Sequence, residues 1–386
     1  MKRIAFCNGM VFNSENEKFA RANILCDDGF ITEVSCCDIP EGYTVIDLNG
    51  KYVIPGLIDV HTHGIAGYDF NFANEEQVDL MCKTYAKHGT TSIMATLASV
   101  PMPKLIDNIF AINPNRVESK LGSANILGVH MEGRYLNPDK RGAHNIDYLA
   151  LPNLSELDEL AQAMMPSPLH FSLAPELEGS KEFIDKAINE YGATIGVAHT
   201  NATYEQATEA LNWGAKSFTH TFNAMTPIHH RMPGATVCAL TNDSAYAEVI
   251  CDGMHSHPAI VNLIYKSKPQ DKMVLITDSI AAAASPDGDY SVAGTSIKVV
   301  NGCAMDASGT LAGSTLTLFK GLKNFMEFCN VPLEKAVKYA TTNPASMVGA
   351  ELVGRIEKNY RADLIVLSSP KEMEIDTVYV GASKID

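Results

Sequence analysis

Histidines and acidic residues stand at the ends of five short apolar runs in this 386-residue chain. The run IPGLIDVH ends at His61, and His63 follows two residues later. The other four runs end on or beside one such residue each: Glu132 in ILGVHME, His199 in ATIGVAHT, His220 in SFTHTF and Asp278 in KMVLITDS. Imidazoles and carboxylates without thiolates suit Zn²⁺, Fe²⁺ or another borderline divalent ion. Such an ion activates water and polarises a carbonyl, and Asp278 is the natural proton carrier.

Each of these residues also has a purely structural interpretation when it is taken alone. A single histidine such as His199 or His220 on an apolar run is usually a hydrogen-bonded core residue, and an aspartate such as Asp278 can cap a helix. The whole set favours chemistry, because His61 and His63 alternate along one strand and therefore point to the same face. Charged groups are also rarely buried without partners.

Eight apolar runs, beginning at Ile54, alternate with amphipathic segments such as SKEFIDKAINEYG and YEQATEALNWGA. Continuous apolar runs are typical of strands buried on both faces, and eight strand–helix units predict a (β/α)₈ barrel of the α/β class. Barrel enzymes carry their sites at the C-terminal ends of the strands, so the five strand ends would face one mouth. A β-hairpin is expected as an insertion near 290–314.

The two ends of the chain have a different pattern from the middle. Asn-Gly and Asp-Gly turn signals, which predict antiparallel strands, occur in the N-terminal segments RIAFCNGMVFN, RANILCDDGFITEVSC and YTVIDLNGKYVI. The C-terminal segments GRIEKNYRADLIVLS and EMEIDTVYVG have a similar strand-like pattern. We predict that residues 1–53 and 353–386 pair into one small β-sandwich domain. The barrel would then occupy 54–352.

Composition excludes several classes of protein. The formal net charge of −15 disfavours nucleic acid as the main partner, although one locally positive pocket can still bind a small anion. Nine irregularly spaced cysteines argue against a disulfide framework. The sequence has no apolar run of the ~18 residues that a membrane helix needs, and the first apolar run is too short for a signal peptide, so we expect a cytoplasmic protein.

A resemblance to a known family is carried by seven segments that occur in this order: PGLIDVHTHG, GVHMEGRYLNPDKRGAH, APE, THTFNAM, DGMH, LITDS and LAGS. Through them the chain resembles the N-acetylglucosamine-6-phosphate deacetylases of the amidohydrolase superfamily. The resemblance runs from about residue 6 to residue 380 and implies a (β/α)₈ barrel with a small β-sandwich domain made from both ends. It also implies hydrolysis of the acetamido group of N-acetyl-D-glucosamine 6-phosphate, which gives glucosamine 6-phosphate and acetate.

The resemblance assigns roles to the strand-end residues. Glu132, His199 and His220 match metal ligands, Asp278 matches the catalytic acid/base, and His144 matches the residue that stabilises the developing oxyanion. Some members lack the His-X-His motif and hold one metal, whereas others keep it and hold two. The chain would hold one or two Zn²⁺ or Fe²⁺ ions, and because His61 and His63 are both present we favour two, with Glu132 bridging them.

The resemblance also implies substrate contacts and a homodimer. Asn223 and Ala224 would meet the phosphate, and Arg231 would supply a charged contact, which can come from the neighbouring subunit. The sugar site would be formed by Ala143, His144, Asp252, His255, Leu311, Ala312 and Gly313. The alternative for Arg231 is an exposed basic turn with its neighbouring histidines.

One position departs from the family pattern and leaves the epimer open. Arg134 stands where the family commonly has proline, and with Lys140 and Arg141 nearby it either adds positive charge near the sugar or only solvates its loop. N-acetylgalactosamine 6-phosphate is therefore the alternative substrate, and a cyclic amide is a more distant one. A non-catalytic member is disfavoured, because none of the strand-end residues is missing.

Overall fold

The first strands form one side of a small sheet in a computed structural model, which describes residues 2–112, 122–164 and 168–385. The strands are β1 (Arg3–Asn13), β2 (Lys18–Asp27), β3 (Phe30–Ser35), β4 (Thr44–Asp47) and β5 (Tyr52–Pro55). β1, β2 and β3 are antiparallel neighbours, whereas β4 and β5 both run parallel to β1. The expectation of purely antiparallel pairing is therefore wrong for β4 and β5.

The three turn signals explain this difference. Asp28 and Gly29 both have positive φ and form the tight turn between β2 and β3. At Asn8 the chain instead makes a bulge inside β1, where the register shifts between Phe6 and Gly9. The segment around Asn49 continues in the same direction beside β1, where the N–H groups of Leu48 and Gly50 donate to the carbonyls of Cys7 and Asn8 at 2.9 and 2.8 Å.

The eight apolar runs form a parallel barrel, as predicted. Its strands are β6 (Leu57–Thr62), β9 (Thr90–Ala98), β10 (Asn125–Glu132), β11 (Leu169–Leu173), β12 (Thr194–Val197), β13 (Ser217–Phe218), β14 (Tyr246–Ile250) and β15 (Met273–Ile276). They pair in chain order, and a bridge between Thr62 and Ser279 links the last strand region to the first. A small ribbon, β7 (Gly64–Ile65) and β8 (Tyr68–Asp69), follows β6.

Amphipathic helices surround the barrel. They are α1 (Glu75–Lys87), α2 (Met102–Ile112), α3 (Leu154–Met164), α4 (Ser180–Tyr191), α5 (Tyr204–Asn212), α6 (Gly234–Thr241), α7 (Pro258–Ser267), α8 (Leu318–Cys329), α9 (Leu333–Ala336) and α10 (Thr342–Val348). In α1 a capping box between Asn74 and Gln77 fixes the start, and Val78, Met81 and Tyr85 face the core. None of the described helices is both long and apolar enough to cross a bilayer.

The segment for which a hairpin is expected forms three antiparallel strands, β16 (Gly288–Val292), β17 (Thr295–Val300) and β18 (Cys303–Asp306). Ile297 and Val299 pack with Ile280 and Ala312 into a separate small core. This core fixes the insertion over the mouth of the barrel, directly after the eighth strand.

The C-terminal strands complete the first sheet. They are β19 (Leu364–Leu367), β20 (Ile375–Val380) and β21 (Ser383–Lys384), and β19 pairs antiparallel with β5. Both chain ends therefore meet in one eight-stranded sheet. Ile365 and Val380 pack in clusters shared with the barrel. The predicted boundary between 53 and 54 falls inside β5, and the division into 1–53 with 353–386 and 54–352 stays a prediction.

Candidate metal centre and substrate cavity

The strand ends bring the predicted ligands to one point. His61 lies in β6, and Glu132 is the last residue of β10. His199, His220 and Asp278 each lie two residues beyond a barrel strand, and all three have left-handed backbone conformations with φ of 43°, 33° and 50°. These turns aim the three side chains at the barrel mouth instead of letting the chain continue past it.

Glu132 lies between two groups of side chains, one at each carboxylate oxygen. Its Oε2 is 2.9 Å from His63 Nε2 and 3.4 Å from His61 Nε2, and Asp278 Oδ1 lies 3.2 Å from the same His63 nitrogen. Its Oε1 is 2.8 Å from His220 Nε2 and 3.2 Å from His199 Nε2. The two groups therefore contact different oxygens of the same carboxylate.

The buried donors fit a divalent cation. Two atoms that are both about 2.0–2.1 Å from a tetrahedral ion lie about 3.3 Å apart. The Nε2 atoms of His199 and His220 are 3.1 Å apart, and the donor atoms of His61, His63, Glu132 and Asp278 lie within 4.8 Å of one another. In addition, both ring nitrogens of His61 are buried without a hydrogen-bond partner among the described residues. The site thus has the donor set, burial and spacing of a metal centre.

The electrostatics of the group also favour a cation. Burial alone would lower the pKa of His61 and His63, but the carboxylates of Glu132 and Asp278 raise the pKa of His61 well above its usual value and that of His63 to about 9. The carboxylates therefore attract positive charge to this point. A divalent cation supplies that charge and competes with protons for the same imidazole lone pairs.

The side chains of Glu132 and Asp278 stay ionised. Burial would raise the pKa of Glu132 and of Asp278, but the neighbouring imidazoles, above all that of His61, lower both. Asp278 reaches the cavity, and its position is held by its own backbone: its N–H donates to the His61 carbonyl at 2.9 Å, and its carbonyl accepts from Ser314 at 2.8 Å. An ionised, positioned carboxylate can accept a proton.

His144 presents a defined ring nitrogen to the same point. The backbone N–H of Ser99 donates to its Nδ1 at 3.4 Å, and the Ser99 hydroxyl, which accepts from the Arg134 N–H at 2.9 Å, lies 3.1 Å from Nδ1. A nitrogen that faces these donors carries a lone pair, so the proton of the neutral ring is on Nε2. Nε2 lies 3.6 Å from Glu132 Oε2. Burial lowers the pKa of His144 and keeps the ring neutral.

A cavity of about 380 Å³ opens above the metal group. Most of the predicted site residues line it, namely His63, Glu132, Ala143, His144, His199, His220, Asn223, Ala224, His255, Asp278, Leu311, Ala312 and Gly313. Gly313 has a φ of +65°, and a Cβ there would lie 2.9 Å from the Asp278 carbonyl oxygen. The loop after β18 can therefore approach Asp278 closely only with glycine at this position.

Three predicted residues are not among those that line the cavity. His61 is buried below it. Asp252 accepts the N–H of Met254 at 2.8 Å and lies 2.7 Å from His255 Nδ1, so it orients that histidine instead of facing the cavity. Arg231 is exposed and contacts His230 at 2.7 Å, so this chain does not bring it to its own cavity.

Arg134, which departs from the family pattern, makes a structural contact. Its guanidinium donates two hydrogen bonds to Glu156, at 2.8 and 3.1 Å, and the Tyr135 hydroxyl donates to the same carboxylate at 2.9 Å. Arg134 does not belong to the cavity lining. Its charge is therefore used to anchor the loop to α3, away from the cavity.

The structure brings two further residues to the site, Lys140 and Ser99, which the predicted set of site residues did not include. Lys140 lines the cavity, its ammonium donates to the Met225 carbonyl at 3.2 Å, and its own carbonyl oxygen is 2.7 Å from His199 Nδ1. The basic pair Lys140-Arg141 between Glu132 and His144 was the available signal for it. Ser99 carries no such signal, because it is a single serine at the end of an apolar strand.

Comparison with known proteins agrees with this geometry. The amidohydrolase family matches residues 52–384 of the chain. The N-acetylglucosamine-6-phosphate deacetylase of Vibrio furnissii is 32% identical over 349 residues, which are 90% of this chain and 87% of that protein. The N-acetylgalactosamine-6-phosphate deacetylase of Escherichia coli O157:H7 is 31% identical over 343 residues, 89% of each chain.

Solved structures extend the similarity to the whole fold. The N-acetylglucosamine-6-phosphate deacetylase from Pasteurella multocida superimposes with a TM-score of 0.91 at 27% identity, covering 99% of both chains. An aspartate-to-alanine mutant of the Mycobacterium smegmatis deacetylase, in complex with N-acetyl-D-glucosamine-6-phosphate, superimposes with a TM-score of 0.91 at 28% identity over 100% of both chains.

Proposed function

This chain belongs to the amidohydrolase family, and we propose that it hydrolyses the acetamido group of N-acetyl-D-glucosamine 6-phosphate to glucosamine 6-phosphate and acetate. The observation that carries the proposal is the position of Glu132, whose two oxygens each face a group of imidazoles at the floor of a cavity. That arrangement suits hydrolysis of an amide, because both the water and the carbonyl need activation.

The metal would be held by Glu132 and four histidines, His61, His63, His199 and His220. The chemistry that a bound metal would supply is to make the attacking water more acidic and to polarise the amide carbonyl. Asp278 takes the proton of the attacking water and delivers it to the amine nitrogen as the C–N bond breaks. His144 donates a hydrogen bond from Nε2 to the carbonyl oxygen as negative charge develops there.

The far side of the cavity would bind the sugar phosphate. Asn223, Ala224 and Lys140 line the cavity, and they would meet the anion in an otherwise acidic protein. Ala143 and His255 would contact the sugar hydroxyls, as would the segment 311–313. Since Arg231 is exposed in its own chain, its proposed phosphate contact requires a partner subunit, and we propose a homodimer on that basis.

Two ions per chain, Zn²⁺ or Fe²⁺, are proposed because Glu132 presents one oxygen to each group of imidazoles. Metal analysis of protein purified without chelators measures this directly. We expect close to two ions per chain in fully active enzyme. A fully active enzyme that holds one ion per chain would refute two-metal occupancy and leave the deacetylase proposal intact.

The galactosamine epimer is the second candidate substrate, because the relative named N-acetylgalactosamine-6-phosphate deacetylase is 31% identical, against 32% for one named N-acetylglucosamine-6-phosphate deacetylase. The decisive assay measures acetate release from both epimeric 6-phosphates, with Zn²⁺ and Fe²⁺ added separately and unphosphorylated N-acetylglucosamine as the matched control. We expect the highest kcat/KM for the glucosamine epimer. Higher kcat/KM for the galactosamine epimer would select the alternative, and no release from either would refute both.

A further inference from the structure

A fully buried carboxylate lies in the barrel interior, beneath the metal group. Glu248 is the third residue of β14 and has no exposed surface. Its Oε2 is 3.6 Å from His61 Nδ1, and its Oε1 accepts from the Ser217 hydroxyl at 3.3 Å and lies 3.9 Å from His170 Nε2. The proposed reaction gives this acid no role, although burying it is costly.

A buried carboxylate needs a partner that carries or shares positive charge. His170 is a poor one, because burial lowers its pKa to about 4 and the ring stays neutral. Its Nδ1 already contacts the Thr194 hydroxyl at 2.8 Å. His61 is therefore the partner of Glu248 among the described residues within ion-pair distance.

The two nitrogens of His61 face different surroundings. Nε2 faces Glu132 Oε2 and Asp278 Oδ1, at 3.4 and 3.5 Å, on the metal side. Nδ1 and Glu248 Oε2 face each other from opposite sides of a 3.6 Å gap, and neither has an ordinary hydrogen-bond partner among the described residues. Histidines that bind a metal through one nitrogen usually donate the other N–H to a carboxylate or carbonyl.

We propose that Glu248 is a positioning residue that accepts the Nδ1–H of His61 and so fixes the lone pair of His61 on Nε2, toward the metal. The inference rests on the proposed metal centre and adds a residue outside its ligand set. The ring of His130 packs edge-on against both His61 and His170, with centroids 4.6 Å from each, and keeps the His61 ring in the plane that this contact needs.

The proposal distinguishes the two sides of Glu132. Glu248 contacts His61 but neither His199 nor His220 within ion-pair distance. Removing the carboxylate should therefore weaken metal binding at the His61–His63 group alone. Loss of such an outer contact usually costs 10- to 100-fold in metal affinity.

The test compares wild type, E248Q and S217A as full-length proteins, by titrating metal-free protein with Zn²⁺ and measuring each Kd by calorimetry. Glutamine keeps the volume of Glu248 and removes its charge. S217A is the matched control, because it removes the hydroxyl that contacts Oε1 and leaves the His61 side of the carboxylate in place. We expect E248Q to raise one Kd about 10- to 100-fold and S217A to change neither by more than threefold.

Two further readouts separate positioning from folding. The melting temperature of metal-free E248Q should stay within a few degrees of wild type. The ¹⁵N-histidine spectrum of Zn²⁺-loaded wild type should show His61 protonated at Nδ1, whatever the number of ions bound. Unchanged Kd values in E248Q, equal weakening of every Kd, or a His61 protonated at Nε2 would each overturn the role of Glu248. None of these results depends on deacetylation, which tests the proposed function separately.

Discussion

Replacing Asp278 by asparagine should abolish most of the turnover while leaving the fold and substrate affinity intact. Asparagine is nearly isosteric with aspartate and tolerates the left-handed backbone conformation that Asp278 adopts at φ 50°. The backbone bonds to His61 and Ser314 involve no side-chain atom of Asp278, so they persist in the variant. The change therefore removes the proton acceptor, and the negative charge that faces His61 and His63, without moving the backbone.

The expected loss follows from what remains in the cavity. General acid–base catalysis contributes about 10²- to 10⁴-fold, which corresponds to about 2.7–5.4 kcal/mol of barrier. Glu132 cannot replace Asp278, because both of its oxygens face imidazoles within 3.2 Å. Asp139 lies in the cavity lining on an exposed turn and has no ion-pair contact with those imidazoles. We therefore expect kcat to fall at least 10³-fold, near the middle of that range.

The assay is steady-state deacetylation of N-acetyl-D-glucosamine 6-phosphate by D278N, with D139N as the matched control. D278N should lose kcat with KM unchanged within about threefold, since Asp278 acts on the reacting atoms and not on the phosphate. D139N should keep wild-type kcat. A D278N enzyme within tenfold of wild type, a barrier change of only about 1.4 kcal/mol, would contradict the acid/base role.

Three other changes test separate parts of the molecule. R231A should raise KM at least tenfold for the phosphorylated sugar and leave the unphosphorylated one unaffected; an equal effect on both sugars would remove Arg231 from the phosphate site. H220N should lower the bound Zn²⁺, measured by atomic absorption, by one ion per chain, and an unchanged metal content would exclude His220 as a ligand. K338M should cost about 0.5–1 kcal/mol of unfolding free energy at pH 7. Burial raises the pKa of Glu17, but the ammonium groups of Lys335 and Lys338 lower it below its usual value. This stabilisation is present above about pH 4.3 and is lost as pH falls through the lowered pKa. The difference in urea unfolding between K338M and wild type should therefore shrink as pH falls below about 4.3, and a difference that stays constant down to full protonation of Glu17 would contradict the ion pair.

The strand-end residues could be predicted because the barrel rule links position in sequence to position in space. Once eight parallel strands are inferred, every residue at a C-terminal strand end faces the same mouth, so Glu132 and Asp278 meet although they are 146 positions apart in the chain. The barrel rule does not predict the direction of β4 and β5, which lie outside the barrel. A turn signal such as Asn49-Gly50 predicts a change of direction, but the backbone bonds of Leu48 and Gly50 to the Cys7 and Asn8 carbonyls keep the chain running parallel to β1.

The residues that support the ligands could not be predicted in the same way. Glu248 stands inside the strand YAEVI, and alternation alone shows that it points inward without showing which side chain lies at the same depth on another strand. For Asp252, a local signal was present. An aspartate followed by Gly-Met-His readily accepts the backbone N–H two residues on, and the structure shows this bond to Met254.

Backbone strain at three positions of the candidate site connects fold and function. Non-glycine residues rarely adopt positive φ, and each one held there costs of order 1–3 kcal/mol. His199, His220 and Asp278 all do so, immediately after buried strands where an extended chain would cost nothing. The surrounding contacts hold these turns, for example the Asp278 N–H bond to the His61 carbonyl. Relaxing these backbones would swing the side chains away from Glu132. The strain is therefore best understood as the cost of gathering several donors around one carboxylate before any ligand arrives, which a site that must bind a metal tightly and position an amide requires.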